Sequence, residues 1–285
     1  MPIKMLNINS LLFDGHKILS ESHSKTPKLD AEILLSSVLN KDLKEIIIEK
    51  KHYLNQSNIN TFKEFIRRRK YGEPIAYILK KKEFWKYNFY VDNNVLIPRP
   101  DTEIIVEETL KLLNNDKKKF VLDVGTGSGC IIISLANERP NLMGTAIDIS
   151  KKALKVAKIN AKMHQLLNRI KFYNSSVDNF FKGKYDLIVS NPPYINNLEL
   201  KYLDKDIISY EPLVSLNGGL DGSFVLNKVI KKSSSLLKIG GKLVLEIGFD
   251  QKYKVMSLLK KKRFFINKVV KDYANKDRCI IATKI

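Results

Sequence analysis

A chain of 285 residues, 44% of them hydrophobic, is long enough for one large domain and a small one, each with a buried core. Apolar runs such as Ile46-Ile47-Ile48 and Ile131-Ile132-Ile133 fall far short of a membrane span, and Met1-Pro2-Ile3-Lys4-Met5 lacks a signal-peptide layout, so a cytoplasmic protein is expected. The net charge of +20 admits a nucleic-acid partner, yet only eight of the 50 basic residues are arginine, and A/T-rich codon bias alone yields this Lys, Ile and Asn excess. Cys130 and Cys279 form no CxxC pair, and His16, His23, His52 and His164 are scattered, so no disulfide framework or metal site is implied.

Residues 1–84 read as helical, with Leu29, Ile33, Leu34 and Val38 at helical spacing. Ser57 is placed to cap a helix running through Arg69, which stops before Gly72 and Pro74. The run Arg67-Arg68-Arg69-Lys70 then reads as a solvated helix end. The aromatic, β-favouring segment from Glu83 to Val91, followed by Asp92-Asn93-Asn94, predicts a hairpin connector over residues 85–97. Phe84 and Trp85 are expected to pack there rather than to form a ligand platform.

Over residues 98–285 strand and helix signals alternate. The strands are Phe120–Val124, Met143–Ile147, Lys171–Tyr173, Tyr185–Val189, Lys242–Ile247, Phe264–Val269 and Cys279–Thr283, with amphipathic stretches such as Lys151–Gln165 between most of them. The expected class is α/β, a parallel sheet covered by helices on both faces.

The first of these strands runs into Gly125-Thr126-Gly127-Ser128-Gly129-Cys130 and then a helix-compatible segment. Glycines at that junction permit a tight turn and close approach of a ligand to the backbone. Asp148 ends the second strand, where a carboxylate can accept hydrogen bonds from both hydroxyls of a ribose. Cys130 stands where a dinucleotide fingerprint wants its third glycine, which favours S-adenosyl-L-methionine over NAD. Asp123 either helps to hold the cationic end of that cofactor or caps the loop.

The strand Tyr185–Val189 ends in Ser190-Asn191-Pro192-Pro193-Tyr194, across the crevice from the glycine loop. A planar amide or amino nitrogen is a poor nucleophile because its lone pair is delocalised. Two acceptors that take its N–H hydrogens orient it and favour the charge that develops during attack. The Asn191 side chain and the Pro192 carbonyl are those acceptors, Pro193 helps to stiffen the loop, and Tyr194 is available to stack on the planar substrate group.

These residues resemble the motif of amino- and amide-nitrogen methyltransferases. Over nearly the whole chain the match is to the peptide chain release factor glutamine N5-methyltransferases, the PrmC/HemK family. The segment Leu96-Ile97-Pro98-Arg99-Pro100-Asp101-Thr102-Glu103 is similar to that family's stretch ahead of the glycine loop. Asp30-Ala31-Glu32, Gly72-Glu73-Pro74-Ile75-Ala76-Tyr77, Glu83-Phe84-Trp85, Glu211-Pro212-Leu213 and Gly219-Leu220-Asp221-Gly222 resemble further family segments.

The resemblance implies a helical substrate-docking domain over 1–84 and, over 98–285, a class I methyltransferase domain with a Rossmann-like, seven-stranded, mostly parallel sheet. It implies methylation of the glutamine in the Gly-Gly-Gln motif of release factors, and a cofactor pocket lined near Pro100 to Glu103, with Thr102 as a contact. Where the family carries an acidic residue and an aromatic near the adenine, this chain has Asn174-Ser175-Ser176. Ser176 is the candidate contact there, with Asp178 as a substitute acid.

A DNA or RNA adenine methyltransferase shares the reacting motif, but no target-recognition domain follows it. A second rival is a closely related amide methyltransferase acting on a ribosomal protein, and Ile97-Pro98-Arg99-Pro100-Asp101 favours the release factor branch. Loss of catalysis in a nucleic-acid-binding relative is opposed by the intact motifs.

Overall fold

The computed structural model describes residues 6–22, 24–114 and 117–285, so the first five residues and His23 lie outside the described residues. Contacts divide the chain into two compact units, one running to Lys80 and taking in Lys205–Tyr210, the other comprising Lys81–Asp204 and Glu211–Ile285. No helix among the described residues is long and apolar enough to cross a membrane.

The first unit holds α1 (Ile8–Ser20), α2 (Pro27–Leu39), α3 (Leu43–Ile48), α4 (Gln56–Lys70), α5 (Ile75–Leu79) and, numbered in chain order, α9 (Lys205–Tyr210). Ile8, Leu11, Leu34, Leu35, Ile59, Phe62 and Ile66 turn their apolar faces inward and form its core. The cap of α4 is Asn55 rather than Ser57: its side chain accepts the amide of Asn58 at 2.8 Å, two residues ahead of the expected start.

The basic end of α4 is also less solvated than its composition suggests. Arg68 forks onto Glu73, and Arg69, whose side chain is 12% exposed, bridges Asp30 at 2.7 Å and Asp206 at 2.9 Å. Asp30 also accepts the hydroxyls of Ser24 and Thr26, so it anchors one end of this ion-paired cluster.

The second unit opens with the hairpin β1 (Lys82–Phe84) and β2 (Tyr87–Phe89). The aromatic segment is not one strand, because Trp85 adopts φ 57° and turns the chain after Phe84. The Trp85 amide donates to Glu103 at 2.8 Å and its indole N–H to Glu138 at 3.0 Å. Phe84 and Phe89 meet edge-on in the core, which is the packing role expected for Phe84.

After α6 (Glu103–Leu112) come β3 (Lys119–Val124), α7 (Cys130–Glu138), β4 (Leu142–Asp148), α8 (Lys151–Met163), β5 (Ile170–Asn174) and β6 (Tyr185–Ser190). Beyond α9 follow α10 (Phe224–Leu236), β7 (Leu237–Glu246), α11 (Lys252–Lys261), β8 (Phe264–Lys271) and β9 (Asp277–Lys284). The sheet order is β5-β4-β3-β6-β7-β9-β8, parallel from β5 to β7 and antiparallel where β9 pairs with β7 and β8. The central strands are buried on both faces, as a parallel sheet under helices requires. Residues of α6, α7 and α8 form the core on one side, and those of α10 and α11 on the other.

Chain order advances from β3 to β5 and then returns to the other side of β3 with β6. That reversal opens a crevice at the carboxyl ends of β3 and β6, where Val124 lies in register with Ser190. The Ser190 hydroxyl donates to the Val124 carbonyl at 2.7 Å and holds the two ends together.

Candidate active site

The loop between β3 and α7 turns through positive φ at Gly125 (72°) and Gly127 (56°), which favours glycine. A side chain on either would meet nothing within 4 Å, so the turn leaves a cradle against bare backbone. Gly129 differs: a Cβ there would press on Ile133 at 2.9 Å and Ala157 at 3.3 Å, so this glycine serves helix packing.

Asp148 stands at the carboxyl end of β4, beside that loop. Its carboxylate accepts the amide of Gly127 at 2.9 Å and that of Ser150 at 2.8 Å, leaving acceptor capacity for a ligand. Burial raises its pKa above the ordinary carboxylate value, while the Ser150 and Gly127 amides pull it back. Asp123 is fully buried within β3 and accepts the Thr126 hydroxyl at 2.6 Å. Its other oxygen has no hydrogen-bond partner among the described residues, and burial pushes its carboxyl up to about 7.

Across the crevice, Asn191 donates from Nδ2 to the Thr102 hydroxyl at 2.9 Å. Among the described residues neither Asn191 Oδ1 nor the Pro192 carbonyl accepts a hydrogen bond. Both residues line a cavity of about 640 Å³ that also takes in Gly125, Gly127, Asp148, Ser176, Asp178 and Pro193. A bare backbone cradle, a strand-end carboxylate and a cavity of this size suit an adenosine-bearing cofactor with a zwitterionic tail.

The loop after Pro193 is held from behind. Gln251 donates to the carbonyls of Tyr194 and Gly222 at 3.0 and 3.1 Å. Gly222 has φ 70°, and a side chain there would strike the Tyr194 carbonyl at 2.3 Å, which accounts for its place in the Gly219-Leu220-Asp221-Gly222 segment. Glu211, buried, accepts from Arg99 at 2.6 Å and from the Ile97 amide at 3.3 Å, so two recognised segments, distant in sequence, meet in one ion pair.

Residues 10–79 match the family model of the PrmC N-terminal domain, and residues 102–212 that of the methyltransferase small domain. A release factor glutamine methyltransferase from Buchnera aphidicola subsp. Schizaphis graminum is 42% identical over 279 residues, covering 98% of this chain and 100% of that protein. The chain belongs to the release factor glutamine methyltransferase family. Another member, from Coxiella burnetii, is 42% identical over 83% of this chain and 84% of its own. A methyltransferase structure from Pyrococcus furiosus shares the fold, with a TM-score of 0.53 at 18% identity over 76% of this chain and 96% of that one.

As a member of this family the protein is a methyltransferase, and S-adenosylmethionine is its cofactor. The structure gathers Gly125, Gly127, Asp148, Ser176, Asn191, Pro192 and Pro193 around one cavity. Thr126, Ser128 and Gly129 shape the loop from behind: Thr126 bonds Asp123, and the Ser128 carbonyl is held by Asn160 at 2.8 Å. Thr102, at the N-cap position of α6 but with no side-chain cap bond, is set behind Asn191 and donates to Glu246 at 2.7 Å instead of lining the cavity.

Tyr194 likewise packs into the core beside the sheet, its hydroxyl donating to Glu246 at 3.2 Å, so it is placed to support the loop rather than to stack on a substrate. Asp178 does line the cavity, paired with Lys228 at 2.8 Å. Glu246, Gln251, Asn160 and Glu211 were not singled out from the sequence as site residues. Each acts on a partner distant along the chain; of the four only Glu211 lies in a recognised segment, and no local motif marks Glu246, Gln251 or Asn160.

Proposed function

We propose that this protein transfers a methyl group from S-adenosylmethionine to the side-chain amide nitrogen of the glutamine in the Gly-Gly-Gln motif of peptide chain release factors. The observation that carries the reading is the pair of unengaged acceptors, Asn191 Oδ1 and the Pro192 carbonyl, on the same cavity as the glycine cradle. The named activity of relatives alike over most of their length supports the choice of substrate.

Gly125, Gly127 and Asp148 would hold the cofactor, with Asp148 on the ribose hydroxyls and Ser176 and Asp178 on the adenine side, while Asp123, buried and bonded to Thr126, holds the loop. Bound S-adenosylmethionine supplies an electrophilic methyl group on a sulfonium leaving group. Asn191 and Pro192 take the two N–H hydrogens of the glutamine amide, fix its plane and favour positive charge on nitrogen as it attacks. The methylated nitrogen is acidic and loses its proton to water, so no strong base is required of the chain. Residues 1–84 serve to dock the release factor, and the enzyme works in the cytoplasm with no need of nucleic acid.

Mass spectrometry of a release factor incubated with enzyme and cofactor tests this directly. A single methyl group on the Gly-Gly-Gln peptide is the expected result. An unmodified peptide under conditions where the cofactor binds would overturn it.

A further inference from the structure

We infer that Glu246 is a positioning residue that fixes which end of the Asn191 amide faces the substrate, acting through Thr102; this rests on the role given to Asn191 above. Glu246 ends β7 and Thr102 precedes α6, and both are 2% exposed. The Thr102 hydroxyl donates to Glu246 Oε2 at 2.7 Å, and Asn191 Nδ2 donates to Thr102 Oγ1 at 2.9 Å.

A hydroxyl has one proton, and an ionised carboxylate only accepts. With that proton given to Glu246, Thr102 can offer Asn191 only lone pairs. Only the NH2 end of the amide satisfies them, so Oδ1 is left for the substrate. Without the carboxylate both amide orientations can be satisfied, because Thr102 is free to donate to Oδ1 instead. An amide presented the wrong way offers the substrate donors where it needs an acceptor.

The surroundings of Glu246 keep its second oxygen occupied and its charge opposed. Tyr194 donates to Oε1 at 3.2 Å, and Arg278 reaches the Tyr194 hydroxyl at 3.4 Å while pairing with Asp272 at 3.0 Å and Asp101 at 3.6 Å. Cys279, its partner across the β7–β9 ladder, and Cys130 on α7 are the other titratable groups nearby. Burial pushes the Glu246 carboxyl up to about 7, against the Thr102 bond and Arg278, which lower it. The ionised form is the one that orients Asn191, so turnover falls as pH drops through that region.

The test compares wild type with Glu246→Gln, Thr102→Val and Thr102→Ser. It reads cofactor affinity by calorimetry, and kcat for release factor methylation at saturating cofactor between about pH 5.5 and 8.5. Cofactor affinity should hold within about twofold, which also shows that each variant is folded. Glu246→Gln and Thr102→Val should lose on the order of tenfold or more in kcat. Glu246→Gln should also lose the acid limb of the profile, and Thr102→Ser should restore most of the rate. A Glu246→Gln enzyme with wild-type kcat and an unchanged acid limb would overturn the inference.

A substrate-free arm separates this from the proposed function. The Asn191 side-chain NH2 protons, followed by NMR, should exchange slowly with water in wild type and faster in Thr102→Val. Equal exchange in the two would sink the network even if the wild type methylates its substrate. Slow exchange in an enzyme that modifies no glutamine would sink the substrate reading alone.

Discussion

Asp148 and Gly127 are joined by a 2.9 Å hydrogen bond from the Gly127 amide to the Asp148 carboxylate, so the end of β4 and the glycine turn after β3 form one rigid rim. The same carboxylate is the acceptor assigned to the cofactor ribose. Asp148→Ala removes both roles and should weaken S-adenosylmethionine binding by about 10- to 100-fold, the worth of one or two hydrogen bonds to a charged group. Calorimetric titration measures this, and an unchanged affinity would move the ribose elsewhere.

The glycines of the turn should separate by function. Gly127→Ala puts an alanine at φ 56° in open space, costing about 1–2 kcal/mol in backbone strain and obstructing the cradle. Cofactor affinity should fall with only a modest drop in melting temperature. Gly129→Ala has φ 81° and in addition drives a Cβ to 2.9 Å from Ile133, so its melting temperature should fall further. Thermal unfolding with and without cofactor distinguishes the two.

Asn191→Ala should leave cofactor binding intact and cut methyl transfer by about 10²–10³, the usual loss for one preorganised polar contact at the reacting group. Unimpaired transfer at saturating cofactor would take Asn191 out of the mechanism.

Much of this site can be read along the chain because its parts are short runs at strand ends. The alternation of apolar strands with amphipathic helices marks β3 to β9; Asp148 ends a strand, and the glycine loop and Asn191-Pro192-Pro193 each follow one directly. The antiparallel setting of β9 is not visible in the residues, since a strand's own pattern says little about its neighbour's direction. Nor is the tie between Thr102 and Glu246, 144 positions apart, because only the order β3-β6-β7 brings those ends together. Trp85 shows the converse: its aromatic character argues for strand, yet bonds to Glu103 and Glu138 hold it in a left-handed turn.

Asn160 links the exit of the hairpin to the glycine loop. Its Oδ1 accepts the Tyr90 amide at 2.7 Å, and its Nδ2 donates to the carbonyls of Tyr90 at 2.9 Å and Ser128 at 2.8 Å. Asn160→Ala strips partners from these backbone groups and should destabilise the protein by about 2–4 kcal/mol. Urea unfolding gives the value, and a loss below about 0.5 kcal/mol would show the link to be dispensable.

Asp123 and Glu246 set a pH dependence of stability. Burial raises both carboxyls to about 7 in the folded protein, well above their ordinary values. A group whose pKa is raised on folding contributes stability that is full below its unfolded pKa and is lost as pH climbs through the folded one. The cofactor-free protein should therefore lose stability between about pH 4 and 7 relative to Asp123→Asn, which cannot ionise there. Urea midpoints of the two proteins across that range check this, and a constant difference would contradict it.

The central claim is tested most directly by offering labelled S-adenosylmethionine to three acceptors: purified release factor, the same factor with its Gly-Gly-Gln glutamine replaced, and DNA. Label on the intact factor alone is the predicted result. Label on the substituted factor or on DNA, with the intact factor no better a substrate, would contradict the assignment of this site to a glutamine amide.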